Sequence, residues 1–377
     1  MKTLIYELFS GVGFCNQLFS LETAIYLSNV MNRKLILLIK SPLSHCGKTA
    51  WDNGKIMDFF NDSYKKYLPC GIEIMYTHNT CNNYLDTIEN KYIFPNNNKH
   101  NFSNIVFVDN DLYIPENTES ITKFINGKHK TIINYKELLT YEYLYVKKSN
   151  ASRVFTNFYT NKQNYILMSK IALSLTKFRN TYISDELKDI TELLNKDKYD
   201  IGIHFRFGDI HRGTNFINQN NNTIKNNLID RIKNKNILIM TDNYKNTLLN
   251  QLIPIANKVI FLDKFVKETL GLDDSNNNRL KIYHICQQLL LYCPIFIGTV
   301  GSTVSVYLQY LRYINNLSYN HYINRSLLVN DKKDEFTWSM NKLHGHLCSW
   351  SYFVPDNIYI CNDSFYFYQK YALNIKN

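Results

Sequence analysis

Between about residues 199 and 315, short apolar segments alternate with longer segments of helical periodicity, and this alternation constrains the fold most strongly. The apolar segments at 200–205, 237–240, 258–262 and 295–297 have the length of buried strands, and helical patterns occur near 224–232, 244–252 and 278–292. Strands that alternate with helices form parallel sheets, because each helix returns the chain to the same end of the sheet. The segment therefore predicts a doubly wound, Rossmann-like domain.

A second unit of strand, helix and strand begins the chain. A β-rich segment from Thr3 to Phe9 runs into a glycine turn at 10–13, and apolar residues then recur at helical spacing up to Met31. A strand predicted at 35–39 completes the unit, which implies parallel pairing through a right-handed crossover. In the middle of the chain, the patterns predict strands at 106–108 and 131–133 and a helix at 165–175.

These patterns divide the chain into two domains and a tail. Its 377 residues are 45% hydrophobic, which is enough apolar material for two cores. We expect an α/β protein with an N-terminal Rossmann-like domain at 1–185 and a C-terminal one at 190–330. The tail at 331–377 carries aromatic residues, and we expect it to pack back on the domains.

The distribution of charge along the chain argues against a nucleic-acid partner. Its net charge of +11 comes from scattered lysines and arginines that occur at most as pairs, such as Lys65-Lys66. An anionic small ligand or a glycan surface needs no more than this, so we expect no nucleic-acid partner. Nucleic-acid binding ranks third among the functions considered, and it predicts a steep salt dependence of association.

The spacing of the cysteines and the lengths of the apolar segments indicate which cofactors and which cell compartment to expect. None of the eight cysteines forms a C-x-x-C pair, which leaves no zinc-ribbon or thioredoxin-like motif. His344, His346 and Cys348 form an H-x-H-x-C cluster without a second ligand pair, so a solvated loop is preferred and no metal is expected. The segment up to Glu7 is a poor signal peptide, and no apolar run reaches about 18 residues. We expect a cytoplasmic protein with reduced thiols and no transmembrane segment.

Polar side chains end or follow the predicted strands of the second domain. They are His204, Arg206, Asp209, Asp242, Thr299, Ser302 and Thr303. The carboxyl ends of parallel strands share one edge of a sheet, where open α/β folds bind ligands. The planar fork of an arginine donates two parallel hydrogen bonds to a phosphate, and the N–H groups of a helix N-terminus hold phosphate oxygens. For Ser302 and for Asp242, the alternative is a plain helix N-cap.

Four stretches of the chain stand out as motifs. They are Gly11-Val12-Gly13-Phe14-Cys15-Asn16-Gln17-Leu18, His204-Phe205-Arg206-Phe207-Gly208-Asp209, Ile239-Met240-Thr241-Asp242 and Phe296-Ile297-Gly298-Thr299-Val300-Gly301-Ser302-Thr303-Val304-Ser305. In this order, they resemble motifs of the fucosyltransferase superfamily that groups the α1,2-, α1,6- and protein O-fucosyltransferases. The first is most similar to the core α1,6 branch, and the second resembles a His-x-Arg-x-x-Asp motif. The resemblance does not cover 41–195 or the tail.

The resemblance implies a GT-B architecture, in which two Rossmann-like domains face a central cleft. It implies an inverting transfer of fucose, or a related sugar, from a GDP-sugar to a glycan or glycoprotein, with no metal or other cofactor. It implies that Arg206 holds the β-phosphate, that His204 and Asp242 contact the nucleotide, and that Ser302 with Thr303 holds the pyrophosphate. Gly11, Gly13 and Thr299 complete the expected donor-binding set. A guanidinium suits this role because the departing GDP gains negative charge in the transition state.

Some residues depart from the motifs of the family. Phe207 stands where many members have a second arginine. Ile210 and Thr214 stand where the core α1,6 branch has a lysine and a glutamate, although His211 and Arg212 lie nearby. Asp209 is the nearest acid and is our candidate catalytic base, with a structural role as the alternative. Asn16 occupies a place that faces the reaction centre in the family, although an amide is no base.

Two other functions remain open, and they belong to different classes. Asp109-Asn110-Asp111 follows the apolar run at 105–108, and such a pair of carboxylates is suited to Mn²⁺ in a metal-dependent GT-A glycosyltransferase. The loss of the second arginine and of the expected acid favours a non-catalytic protein that binds a nucleotide or a glycan. The acceptor pocket is built by loops outside the motifs, so the sequence does not name the acceptor.

Overall fold

A computed structural model describes residues 1–8, 14–39, 57, 60–76, 105–108, 121–125, 128–132, 143–146, 162–177, 180–195, 198–207, 222–273, 276–299, 302–315, 317, 320–324 and 327–329. These residues fall in two compact units, one within Met1–Lys177 and the other within Phe178–Ser349. Each unit contains a parallel sheet and helices, so the predicted α/β class is confirmed.

The first unit is built on a five-stranded parallel sheet with the strand order β3-β2-β1-β7-β4. Its strands are β1 (Thr3–Glu7), β2 (Lys34–Ile39), β3 (Ile72–Tyr76), β4 (Ile105–Val108) and β7 (Tyr143–Val146). Its helices are α1 (Phe14–Val30) and α2 (Lys162–Leu175), with a short 3₁₀ helix at Asp62–Tyr67. A separate antiparallel ribbon pairs β5 (Ile121–Ile125) with β6 (Lys128–Ile132).

The predicted unit of strand, helix and strand at the start of the chain is confirmed. The apolar positions Leu18, Leu21 and Ile25 of α1 are buried, as the helical spacing predicts. Asn32 closes the turn between α1 and β2 with a φ of 51°, a left-handed conformation that asparagine adopts more readily than most residues. β1 then pairs in parallel with β2 from the pair Thr3 and Lys34 onward.

The second unit is built on a six-stranded sheet with the strand order β10-β9-β8-β11-β12-β13. Its strands are β8 (Ile201–Phe205), β9 (Asn236–Thr241), β10 (Lys258–Phe261), β11 (Ile295–Thr299), β12 (Asn320–Asn324) and β13 (Leu327–Val329). Its helices are α3 (Asn180–Asn195), α4 (Asn222–Ile232), α5 (Thr247–Leu252), α6 (Leu262–Thr269), α7 (Asn276–Tyr292) and α8 (Thr303–Ile314). Among the described strands of this sheet, β13 pairs antiparallel with β12, and the other five are parallel in the order of a Rossmann-type sheet.

The two faces of the second sheet are filled differently. Ile201, Ile203 and Phe205 point into an apolar cluster that includes Leu228 of α4 and Leu248 of α5. Each side chain of this size stabilises the fold by about 1.5–3 kcal/mol when it is fully buried. The alternate residues of β8 face α7 and α8, so the strand is buried on both sides, as expected for a parallel sheet.

Several elements differ from those that the patterns predict. The strand β10 passes directly into α6 at Leu262, whereas the sequence predicts that the strand continues and ends at Asp263. The strand predicted at 131–133 lies in the antiparallel ribbon, and β7, which no pattern indicated, is the neighbour of β1. The helix α3 runs through residues 185–190, where the sequence places the end of the N-terminal domain.

No helix within the described ranges is long and apolar enough to cross a membrane. The cysteines Cys15, Cys70, Cys286 and Cys293 are free thiols. The tail at 331–377 lies outside the described residues.

Candidate functional site

The candidate site lies at the carboxyl edge of the second sheet, where the strand order reverses. From β8 the chain first builds β9 and β10 on one side, and it then places β11 on the other side. In sheets of this kind, ligands bind outside the carboxyl ends of the strands at such a reversal. Arg206 directly follows β8, Asp242 directly follows β9, and Ser302 lies between β11 and α8.

Arg206 and Asp242 form an ion pair across the ends of two adjacent strands. The Nη1 atom of Arg206 donates to Oδ2 of Asp242 over 2.7 Å, and the two side chains are 25% and 19% exposed. The second carboxylate oxygen of Asp242 accepts from the backbone N–H of Phe207 over 2.9 Å. One carboxylate thus orients both the guanidinium and the backbone that carries it.

This arrangement corrects the alternative in which Asp242 caps the next helix. That helix is α5, and it begins at Thr247 with Asn246 as its N-cap, whose side chain accepts from the N–H of Leu248 over 2.9 Å. The carboxylate of Asp242 is instead directed to β8, and so it belongs to the strand-end cluster.

Phe207, which directly follows Arg206, is part of the core. It is 4% exposed and stacks on Phe205, with ring centroids 5.6 Å apart and an angle of 10° between the rings. Because the ring lies in the apolar cluster of α4 and α5, this position contributes packing and no charge. Among the described residues at this edge of the sheet, Arg206 is therefore the arginine that follows β8.

Thr299 links the ends of β8 and β11 through its hydroxyl group. The hydroxyl donates to the backbone oxygen of His204 over 2.8 Å and accepts from the backbone N–H of Arg206 over 3.1 Å. Its single hydrogen is therefore used inside the protein, and the residue is fully buried. The geometry gives Thr299 the role of holding the backbone of Arg206 in place. Direct contact of Thr299 with a ligand stays a prediction.

His204 and Ser305 form a buried pair behind this edge. The Nδ1 atom of His204 lies 2.7 Å from Oγ of Ser305, and the same Oγ accepts from the backbone N–H of Thr299 over 2.8 Å. Burial, together with the positive charge of Arg206, lowers the pKa of His204 to about 3. The imidazole is therefore neutral at physiological pH. Sequence reasoning assigned no role to Ser305, although a hydroxyl one turn beyond Ser302 in the same motif was a signal.

The remaining site residues that the sequence predicts are only partly described. Ser302 is 6% exposed, and its backbone N–H donates to the oxygen of Thr299 over 3.2 Å. Thr303 is the first residue of α8 and Asn16 lies in the first turn of α1, but their side chains are outside the description. Gly11, Gly13 and Asp209 lie outside the described residues, as do Asp109 and Asp111 of the alternative metal site. Within the described ranges, no group of acidic, histidine or cysteine side chains is arranged to hold a metal ion.

No protein-family model and no curated protein matches this chain. Among solved structures, it is similar to a mutant of Arabidopsis thaliana FUT1 in complex with GDP, at 12% identity and a TM-score of 0.49 over 86% of this chain and 70% of that one. It is also similar to apo POFUT1, at 10% identity and a TM-score of 0.45 over 85% and 98% of the two chains. Fucosyltransferase NodZ from Bradyrhizobium has 11% identity and a TM-score of 0.41 over 88% and 100%.

Proposed function

We propose that the protein is an inverting glycosyltransferase that moves fucose from GDP-fucose to a glycan or a glycoprotein. The observation that carries this proposal is the position of Arg206. Arg206 stands at the point of a Rossmann-type sheet where the strand order reverses, in a stretch that resembles the second fucosyltransferase motif. The chain also has stretches that resemble the other three motifs, and all four occur in the order of the family. A cation that is fixed at this place is suited to a nucleoside diphosphate.

Arg206 acts on the leaving group in this proposal. When the bond between the sugar carbon and the β-phosphate oxygen breaks, that oxygen gains negative charge, and the guanidinium stabilises it. Asp242 and Thr299 hold the guanidinium and its backbone before the reaction, so little reorganisation is needed as the charge develops. A guanidinium has five N–H donors, and phosphate oxygens are suitable acceptors for them.

Ser302 and Thr303 complete the diphosphate site in this proposal. They lie at the N-terminus of α8, which spans Thr303–Ile314, and the backbone N–H groups of such a terminus favour a phosphate. His204 contributes a neutral hydrogen-bonding group to the nucleotide. Gly11 and Gly13 belong to the first motif, and we propose that their turn also approaches the donor.

The acceptor side and the base are further parts of the proposal. Attack on the β-linked donor from the opposite face gives an α-linked product. Asp209 is the proposed base and Asn16 a polar group at the reaction centre. In the proposed GT-B arrangement, residues 1–185 form the acceptor-side domain and residues 190–330 bind the GDP-sugar. The tail at 331–377 packs back on both.

The experiment is an assay of transfer and hydrolysis with GDP-fucose, in which NMR identifies the anomeric configuration of the product. We expect turnover that survives EDTA and an α-linked product, because Arg206 and the α8 N-terminus take the role that a metal has elsewhere. Complete loss on chelation, restored by Mn²⁺, would instead support the GT-A alternative with Asp109 and Asp111.

A thermal-shift series separates the enzyme from the non-catalytic alternative. GDP or GDP-fucose at about a hundred times Kd adds about 2.7 kcal/mol of apparent stability, and we expect no such effect from UDP-GlcNAc. Stabilisation by GDP without any turnover would identify a binding protein. Equal shifts from the GDP and UDP series would contradict the proposed donor.

A further inference from the structure

We propose that Ser305 is a positioning residue that holds His204 in the tautomer whose Nε2–H donates a hydrogen bond to the nucleotide of the donor. The inference rests on the proposed function, since it assumes that a nucleoside diphosphate binds at this edge. Ser305 itself contacts no ligand in this proposal and acts through the imidazole.

The contacts around Ser305 place its oxygen at the centre of a buried network. Its Oγ lies 2.7 Å from Nδ1 of His204 and 2.8 Å from the backbone nitrogen of Thr299. Ser305 and Thr299 are fully buried and His204 is 4% exposed. The network joins the first turn of α8 to the ends of β8 and β11, so a change at Ser305 reaches the residues that flank Arg206.

The hydrogen atoms of this network permit one consistent assignment. A serine hydroxyl has one hydrogen and two lone pairs, and one lone pair of Ser305 accepts the N–H of Thr299. Among the described residues, the acceptor within hydrogen-bonding distance of the Ser305 hydroxyl is Nδ1 of His204, because its other contact is with an N–H donor. Ser305 therefore donates to Nδ1, and the ring proton resides on Nε2. The opposite tautomer leaves a buried hydroxyl hydrogen without an acceptor in this part of the chain.

The charge state of the ring fits this assignment. Burial and the neighbouring Arg206 lower the pKa of His204 to about 3, so the ring keeps one donor and one acceptor nitrogen at neutral pH. Because Ser305 occupies the acceptor nitrogen, the donor nitrogen remains for a ligand. A nucleoside diphosphate offers acceptors in its phosphate oxygens, its sugar oxygens and its base, and a fixed N–H selects such an atom.

The first turn of α8 packs closely against β11 at Ser305. A Cβ atom at Gly298 would lie 2.9 Å from the Cβ of Ser305 and 3.1 Å from its Oγ. The absence of a side chain at Gly298 thus lets the first turn of α8 approach β11 closely enough for the hydroxyl to reach the imidazole.

The test compares Ser305→Ala, His204→Gln and the double variant with the wild-type protein. Two readouts are used: the affinity for GDP by calorimetry, and the tautomer of His204 by NMR of its ring nitrogens. We expect the wild-type ring to carry its proton on Nε2, and Ser305→Ala to lose this preference and to weaken GDP binding about fivefold. In the His204→Gln background, Ser305→Ala should cause no further loss of GDP affinity.

The control is Ser174→Ala in the first unit, because Ser174 is also buried and its hydroxyl donates to a backbone oxygen over 2.6 Å. It should change stability but not the affinity for GDP. A ring proton on Nδ1 in the wild-type protein would overturn the inference even if Ser305→Ala fails to fold, and so would additive losses in the double variant. If the wild-type protein does not bind GDP at all, the proposed donor is wrong, whereas GDP binding that is unchanged in Ser305→Ala refutes only the role of Ser305.

Discussion

At the scale of single residues, the site depends on how Arg206 is held. Its guanidinium is paired with Asp242, and its backbone is fixed by Thr299 on one side and by the Phe207 contact with Asp242 on the other. A charge held in this way is preorganised, and preorganised donors stabilise a transition state more than mobile ones do. Arg206 should therefore matter more for turnover than for folding.

Replacing Arg206 with alanine should lower kcat by about 10²–10³, which corresponds to about 3–4 kcal/mol, because a preorganised donor to the leaving diphosphate is lost. Arg206→Lys should not restore the rate fully, because an ammonium cannot reproduce the planar fork. The measurement is kcat/KM for both variants, with Arg279→Ala as the control, since Arg279 is an exposed arginine of the same unit.

The competing explanation is that Arg206 only ties β8 to β9 through Asp242. In that case Asp242→Asn should match Arg206→Ala in both turnover and melting temperature. The proposed role instead predicts a smaller loss of turnover for Asp242→Asn, whose side-chain oxygen still accepts from Phe207.

At this scale, the sequence patterns predicted where the strands end but not all of the contacts made there. The ends of β8, β9 and β11 follow from apolar runs that stop at polar residues, and this pattern indicated His204, Arg206, Asp242 and Thr299. It did not indicate that Asn246 rather than Asp242 caps α5, because both side chains suit a cap and the choice depends on where the loop turns. The contact between Ser305 and His204 joins residues far apart in the chain, and a local pattern carries no such information.

At the scale of elements, the second sheet depends on close contact between β8 and α7. A Cβ atom at Gly202 would lie 2.8 Å from Sγ of Cys293 and 2.9 Å from Cδ2 of Leu290, closer than real contacts allow. Gly202→Ala should therefore destabilise the protein by about 1–3 kcal/mol, as overpacking does. Urea unfolding measures this, and in a Cys293→Ala background the added cost should shrink. An unchanged unfolding midpoint would contradict the close contact.

The end of α7 depends on Arg312 of α8. This fully buried side chain donates through Nη1 to the oxygens of Leu291 and Cys293, each over 2.6 Å, and through Nη2 to that of Pro294 over 3.2 Å. Arg312→Met leaves the buried oxygens of Leu291 and Cys293 without this donor. Since each buried unsatisfied group costs about 1–3 kcal/mol, we expect a loss of about 3 kcal/mol or more. Arg279→Met is the control. If Arg312→Met loses no more free energy of unfolding than this control, the hydrogen bonds of Arg312 do not stabilise the end of α7.

Two elements that the sequence patterns missed, α6 and β7, are short and carry weak local signals. The helix α6 begins without a loop after β10, so no turn residues mark its start, and its eight residues span barely two turns. The strand β7 became a central strand of the first sheet although it has only four residues, because pairing with β1 and β4 is a long-range effect. Longer periodic elements such as α7 were predicted closely.

At the scale of the whole molecule, two buried histidines make stability depend on pH. Burial lowers the pKa of both His204 and His284 to about 3, with Arg206 adding to the effect at His204. The unfolded chain takes up protons below a pH of about 6.5 while these folded side chains stay neutral, so their contribution is fully present above that pH. It is lost as the pH falls from about 6.5 toward 3.

The expected loss is about 1.4 kcal/mol per histidine at a pH of about 5.5. Denaturant unfolding between pH 7 and pH 5 measures this loss. The slope of the free energy of unfolding against pH gives the number of protons taken up on unfolding, and His284→Gln should lower that number by about one relative to the wild-type protein. Identical slopes for the two proteins would show that burial of His284 does not carry this dependence.

The central claim is that Arg206 holds the diphosphate of a GDP-sugar at the switch point of the second sheet, and calorimetric titration of GDP in the presence of EDTA tests it most directly. The titration compares the wild-type protein with Arg206→Ala and Arg279→Ala, and repeats the wild-type experiment with UDP. We predict that the wild-type protein and Arg279→Ala bind GDP equally, that Arg206→Ala binds it far more weakly, and that UDP binds poorly to the wild-type protein. A folded Arg206→Ala protein that binds GDP as tightly as the wild-type protein would contradict the account.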